Sequence, residues 1–126
     1  MSARYLSPRE RRSTAQRAID ALGTDRRNHV LLRVRCSASH HVGTVYRTDV
    51  GPVFASIVGP RPHGSRDFVD EAHGPRGRGR EYVDLLEGGR HADDQVPAYC
   101  ECGAHFLSRS ELLHALAAAE RTVQIQ

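Results

Sequence analysis

His29-Val-Leu-Leu-Arg-Val-Arg-Cys36 is the stretch on which the fold class turns. Val30, Leu32 and Val34 alternate with Leu31, Arg33 and Arg35, the period of a strand with one buried face. The run ends on a cysteine, and the polar stretch Ser37-Ala-Ser-His-His41 follows. A second strand is expected at about Val42–Thr48, a turn at Asp49-Val-Gly-Pro52 and a third strand at Val53–Val58. Glu81–Leu86 reads as a fourth, short strand. The expected core is therefore a small antiparallel β-meander.

Two helices flank it. Ser7 is a good N-cap, Pro8 suits the first helical position, and Glu10 completes a capping box. Ala15, Ala18, Ile19 and Leu22 form a narrow apolar stripe, and Gly23 ends the helix, so it is expected over Pro8–Leu22. The second helix is expected from Arg109 to about Glu120. Ser108 caps it, Glu111 stands three residues on, and Leu107 can meet Leu112 as a hydrophobic staple. Leu112, Leu113, Leu116 and Ala119 are expected to face the core. Thr122–Ile125 alternates and suits an edge strand. The class is α+β.

The rest of the 126 residues bound what the chain can be. Aromatic residues make 6% of it and Trp is absent, so the core is thin and gains from a staple. Gly59–Arg80 is rich in Gly, Pro and charge and ends in a run of alternating Gly and Arg, Arg76–Arg80. Such a composition does not bury enough apolar area to offset ordering entropy, and a flexible loop is expected at about residues 59–80. No apolar run of about 18 residues exists to span a membrane. The Arg-rich start lacks the apolar stretch of a secretory signal, which points to the cytoplasm, where thiols stay reduced. All 18 basic residues are arginine, as the codon bias of a GC-rich genome would produce. Residues 1–35 hold nine arginines against three acids, net +6; residues 36–126 hold nine against twelve, net −3. The chain thus divides into a basic N-terminal helix, 1–28, and a second unit, 29–126.

The three cysteines, Cys36, Cys100 and Cys102, stand where expected strands run into polar turns. Three is an odd number, which speaks against a disulfide framework. Cys100-Glu-Cys-Gly103 is a tight pair beside a turn-making glycine, and buried structural cysteines are seldom separated by a glutamate. Thiolates joined by an imidazole suit zinc in a tetrahedral site. Cys36-x3-His40 with Cys100-x-Cys102 supplies such a set. His40 is preferred as fourth ligand, ahead of His41 and His105, because adjacent residues of a turn point apart. His105 can instead hydrogen-bond a thiolate.

Arg-Cys-x3-His, the strand Val-Gly-Thr-Val-Tyr-Arg-Thr and the turn Gly-Pro-Val-Phe come first. The later Cys-x-Cys-Gly is followed by Phe-Leu-Ser-Arg-Ser-Glu-Leu-Leu-His-Ala-Leu and Arg-Thr-Val. Together these motifs resemble small zinc-ribbon-like proteins of actinobacteria. The resemblance spans about Leu32–Val58 and Ala98–Val123. It implies zinc held by Cys36, His40, Cys100 and Cys102, and it implies no reaction.

Two classes of function compete. A binding module would contact nucleic acid through the basic helix, with Arg9, Arg11, Arg12, Arg17, Arg26 and Arg27 as the phosphate-contacting candidates. A protein partner, or a homodimer through Thr122–Ile125, is the alternative. A zinc enzyme would need an open coordination position and a nearby acid or base such as Glu101 or His105. Neither the zinc-deaminase pattern nor His-Glu-x2-His is present.

Overall fold

The computed structural model describes residues 6–57, 81–87, 95–100 and 102–125. The expected loop Gly59–Arg80 with its Arg-Gly run, and Glu101, lie outside the described residues.

Helix α1 spans Pro8–Leu22, as the sequence signals it. The Ser7 hydroxyl accepts the Glu10 N–H at 3.1 Å, and the Glu10 carboxylate accepts the Ser7 N–H at 2.9 Å, completing the capping box. Gly23 leaves the helix at a φ of 57°, a conformation that costs glycine little, and opens a 3-10 turn over Gly23–His29.

Strands β1 (Val30–Arg35), β2 (His41–Thr48), β3 (Gly51–Ile57) and β4 (Glu81–Leu85) form the antiparallel meander. A separate hairpin follows, β5 (Gln95–Cys100) with β6 (Gly103–Ser108). Helix α2 (Arg109–Ala117) leads to β7 (Thr122–Gln124), which adds in parallel to β1. The larger sheet has the order β4-β3-β2-β1-β7. Strand β6 is the element the sequence pattern hides. Its exposed positions include the apolar Phe106, and its inward positions include the polar His105, so its alternation is masked.

Helix α2 ends at Ala117, earlier than expected. Ala119 takes a φ of 61°, and the N–H groups of Ala119 and Glu120 return to the carbonyls of Leu116 and Ala115. That closure normally uses glycine, so an alanine there conceals the stop. Ala119 is consequently exposed, while Leu112 and Ala115 carry the buried face.

Register places two sets of side chains on opposite faces of the large sheet. Leu32, Val45 and Phe54 pair across one face. They pack with Val96, Ala98 and Leu107 of the hairpin and with Leu112 and Ala115 of α2. Val53, Ala55, Val83 and Leu85 lie on the other face and pack against Ala15 and Ile19 of α1. Helix α1 therefore shares its packing with the sheet. Gly43 has no side chain because the Phe54 ring occupies the space: an added Cβ would come within 2.6 Å of it.

Both helices meet at Asp84 on β4, which is fully buried. Arg11 of α1 reaches its two carboxylate oxygens through Nε at 3.1 Å and Nη2 at 3.3 Å. Arg109 of α2 reaches it at 3.2 Å and also donates to the Leu85 carbonyl. The Tyr82 hydroxyl donates to the same carboxylate at 2.7 Å. Burial, then that bond and the charge of Asp84, push the Tyr82 hydroxyl up to about 12.

This network corrects the expectation for Arg11. It stands four residues before Ala15 and eight before Ile19, on the apolar stripe itself, and is only 5% exposed. Its guanidinium is held by Asp84 and is not presented to an outside phosphate. Replacing Asp84 with Ala leaves two buried guanidiniums without their carboxylate. The expected loss of unfolding free energy is about 3–5 kcal/mol, read by urea denaturation; a loss within error would show that the network does not hold the helices.

Candidate metal centre

Two hairpin tips build the site. The β1–β2 tip begins at Cys36, immediately after β1, and ends at His40, immediately before β2. Within it the Ser39 N–H donates to the Cys36 carbonyl at 2.8 Å, the Cys36 N–H donates to the His40 carbonyl at 3.0 Å, and Ser39 takes a φ of 69°. The β5–β6 tip carries Cys100 at the end of β5 and Cys102 in the turn, and Gly103 follows at a φ of 119°. Both tips turn a backbone N–H onto a sulfur two residues earlier: Ala38 onto Cys36 and Cys102 onto Cys100, each at 3.3 Å.

The ligand atoms of Cys36, His40, Cys100 and Cys102 all lie within 4.8 Å of one another. Cys36 Sγ is 3.4 Å from His40 Nδ1 and 3.9 Å from Cys102 Sγ. Cys102 Sγ is 3.5 Å from His40 Nδ1. For metal–sulfur bonds of about 2.3 Å and metal–nitrogen bonds of about 2.0–2.1 Å, a regular tetrahedron has S···S edges of about 3.8 Å and S···N edges of about 3.5 Å. The four side chains therefore fit around a metal ion. Cys36 and Cys100 are buried, and Cys102 is exposed.

Electrostatics favour a cation at this place. Desolvation opposes ionising Cys36, but backbone groups of His40 and Ala38 and the thiols of Cys100 and Cys102 outweigh it and bring the thiol down to about 6. Cys102 moves the other way, to about 11, through its hydrogen bond to Cys36, burial, and the charges of Cys36 and Cys100. The cluster accepts one negative charge readily and resists the next. A metal ion held by Cys36, Cys100, Cys102 and His40 would remove that resistance by keeping the sulfurs as thiolates.

The three candidate histidines separate clearly. His40 joins the cluster. His41 starts β2 and meets the Thr44 hydroxyl at 3.3 Å, while burial, then Arg35 and Arg33, push its imidazole below the ordinary value. His105 on β6 lies outside the set of four, with Nε2 3.0 Å from Cys100 Sγ, within hydrogen-bonding reach of that sulfur. A group that sequence reasoning missed is Gln124. Its side-chain amide donates to the carbonyls of Cys36 and Ser37, each at 3.0 Å, and pins the first tip to β7. A lone glutamine in an edge strand gives no signal of such a role.

The expected phosphate-contacting arginines scatter. Arg9, Arg12, Arg17 and Arg27 are exposed. Arg26 is half-buried, bonded to Glu81 at 2.6 Å, with its guanidinium 5.1 Å from the centre of the Tyr46 ring. Its charge is already engaged inside the fold.

No family model, no curated protein and no solved structure matches this chain. Among the described residues, no helix is long and apolar enough to cross a membrane.

His40→Ala is expected to abolish stoichiometric metal binding and His41→Ala to leave it intact. His105→Ala should retain the metal with affinity reduced about 10–100-fold, since it removes only a bond to a ligand. Competition with a chromogenic chelator measures all three, and equal behaviour of the His40 and His41 variants would refute the assignment. Protons compete with the metal for sulfur, and the fold already lowers the Cys36 thiol. The metal should therefore stay bound at neutral pH and leave on acidification, which an acid titration followed by metal release will show.

Proposed function

We propose that this protein is a zinc-stabilised binding module of the zinc-ribbon kind, working in a reducing compartment such as the cytoplasm. The observation that carries this reading is the closed donor set: three sulfurs and one imidazole within 4.8 Å, from two hairpin tips. Soft thiolates in a tetrahedron select zinc among the common divalent ions. Catalytic zinc sites keep a position open for water or substrate. Four side-chain donors leave none here, so the centre serves the fold and not a reaction. The resemblance of the cysteine motifs to small zinc-ribbon-like proteins supports the same reading.

The working surface is then elsewhere. The exposed Arg9, Arg12, Arg17 and Arg27 offer charge to a nucleic-acid backbone. A protein partner is the second reading, favoured by Phe106, which is 65% exposed beside a groove of about 450 Å³ between β6 and β7.

Metal analysis of the purified chain should return about one zinc per molecule, and Cys102→Ser should lose it. Cys102 is exposed, so this substitution leaves the apolar core alone. Chelation should unfold the hairpin tips, because metal binding worth about 10 kcal/mol or more in small zinc domains is folding free energy. A well-folded sample with no metal would end the proposal.

A further inference from the structure

Cys36 and Cys102 are a sulfur pair that bridges the two hairpin tips. They stand 66 residues apart in sequence, yet their Sγ atoms are 3.9 Å apart. His40 Nδ1 lies against both, at 3.4 Å and 3.5 Å. Cys102 is exposed and Cys36 is buried behind it. Neither residue takes part in the strand register, so the two sulfurs can close on each other without breaking a strand pairing. A disulfide needs them about 2.05 Å apart, which leaves roughly 2 Å to close.

The third sulfur is placed differently. Cys100 is buried, and its backbone is fixed by pairing with Gly103. His105 Nε2 at 3.0 Å and the Cys102 N–H at 3.3 Å stand against its sulfur. Oxidation of cysteine follows thiolate character and exposure, and it is reversible where a second thiol stands ready to resolve the first product. Cys102 has the exposure, and Cys36 is the neighbour within reach. A sulfur that ligates a metal is held as thiolate.

We infer that Cys102 is an oxidation site for a hydroperoxide and Cys36 its resolving partner, so that the two tips exchange a shared metal ion for a direct disulfide. The inference rests on the zinc-stabilised reading and deepens it. In the first step the Cys102 thiolate attacks one peroxide oxygen. The S–O bond forms, the O–O bond breaks, and hydroxide leaves. Cys102, oxidised by two electrons, becomes a sulfenic acid. In the second step the Cys36 thiolate attacks that sulfur. The S–S bond forms, the S–O bond breaks, and a second hydroxide leaves. Two protons from solvent complete the balance: two thiolates and one hydrogen peroxide give one disulfide and two waters. The donor set then falls to Cys100 and His40, too few to hold the ion in a tetrahedron. The tips stay joined, now by a covalent bond.

The test uses the full chain with its metal content measured first, and hydrogen peroxide as the probe. Released zinc is followed with a chromogenic chelator, free thiols are counted by alkylation, and the bond is mapped by mass spectrometry of unreduced peptides. Zinc release should accompany a fall from three free thiols to one. The map should join the Cys36 and Cys102 peptides, with Cys100 alkylated. The oxidised, metal-free chain should keep the circular dichroism of the metal-loaded one, whereas the reduced, chelated chain should lose it. The inference is overturned if all three thiols and the zinc survive peroxide. It is equally overturned if the bond maps to Cys100 or between two chains, if Cys102 proceeds to sulfinic acid without a disulfide, or if the oxidised chain unfolds like the chelated one. A folded chain purified without metal ends the zinc reading instead, and the disulfide map of that same chain still decides this one.

Discussion

Three sulfurs and an imidazole nitrogen held within 4.8 Å are a constraint that acts on two sheets at once. Cys36 and His40 belong to the tip of one hairpin, Cys100 and Cys102 to the tip of another. Among the described residues, the hairpin β5–β6 makes no strand pairing with the large sheet. Apart from apolar packing, the described polar ties between the two sheets are few, such as the Ser56 hydroxyl donating to the Pro97 carbonyl at 2.7 Å. An ion at the tips would fix the register of one sheet on the other. In a chain with 6% aromatic residues, such a staple supplies what a thin core lacks.

Asp84 does comparable work by different means. The large sheet has two apolar faces, and each cover carries one arginine, Arg11 from α1 and Arg109 from α2. Both end on the same buried carboxylate. A buried ion cluster is weak evidence for stability in itself, because desolvation offsets much of the attraction. Its directional bonds nevertheless fix where each helix sits. The apolar contacts of Ala15 or Ala115 alone would tolerate sliding.

These two fixtures divide the arginines into those spent on the fold and those left for other work. Arg11, Arg26 and Arg109 are bonded inside the protein, and Arg35 donates to the Ser39 carbonyl beside the metal tip. Arg9, Arg12, Arg27, Arg33, Arg47 and Arg121 have no such partner among the described residues. The basic character read from residues 1–35 is therefore partly internal. Part of the outward charge comes instead from Arg47 and Arg121, which the net balance of residues 36–126 obscures.

What the sequence by itself determined is local. The bounds of α1 follow from a cap, a proline and a glycine within a single helix. The meander follows from alternation and turn chemistry. The cysteine spacings name three ligands and rank the fourth, His40 ahead of His41 and His105, because each pair is closed by one short turn; the folded tips bring His40 to the sulfurs. Other features depended on partners distant in the chain. Arg11 looks like a surface residue until Asp84, 73 residues away, is brought beside it. Strand β6 is hidden because Phe106 and His105 reverse the expected alternation, and the end of α2 is hidden because an alanine takes the left-handed turn. Gln124 reaches the Cys36 tip only because β7 runs parallel to β1. Short-range sterics and hydrogen bonding are written residue by residue, whereas charge pairing and shared cavities are properties of the folded register and are decided there.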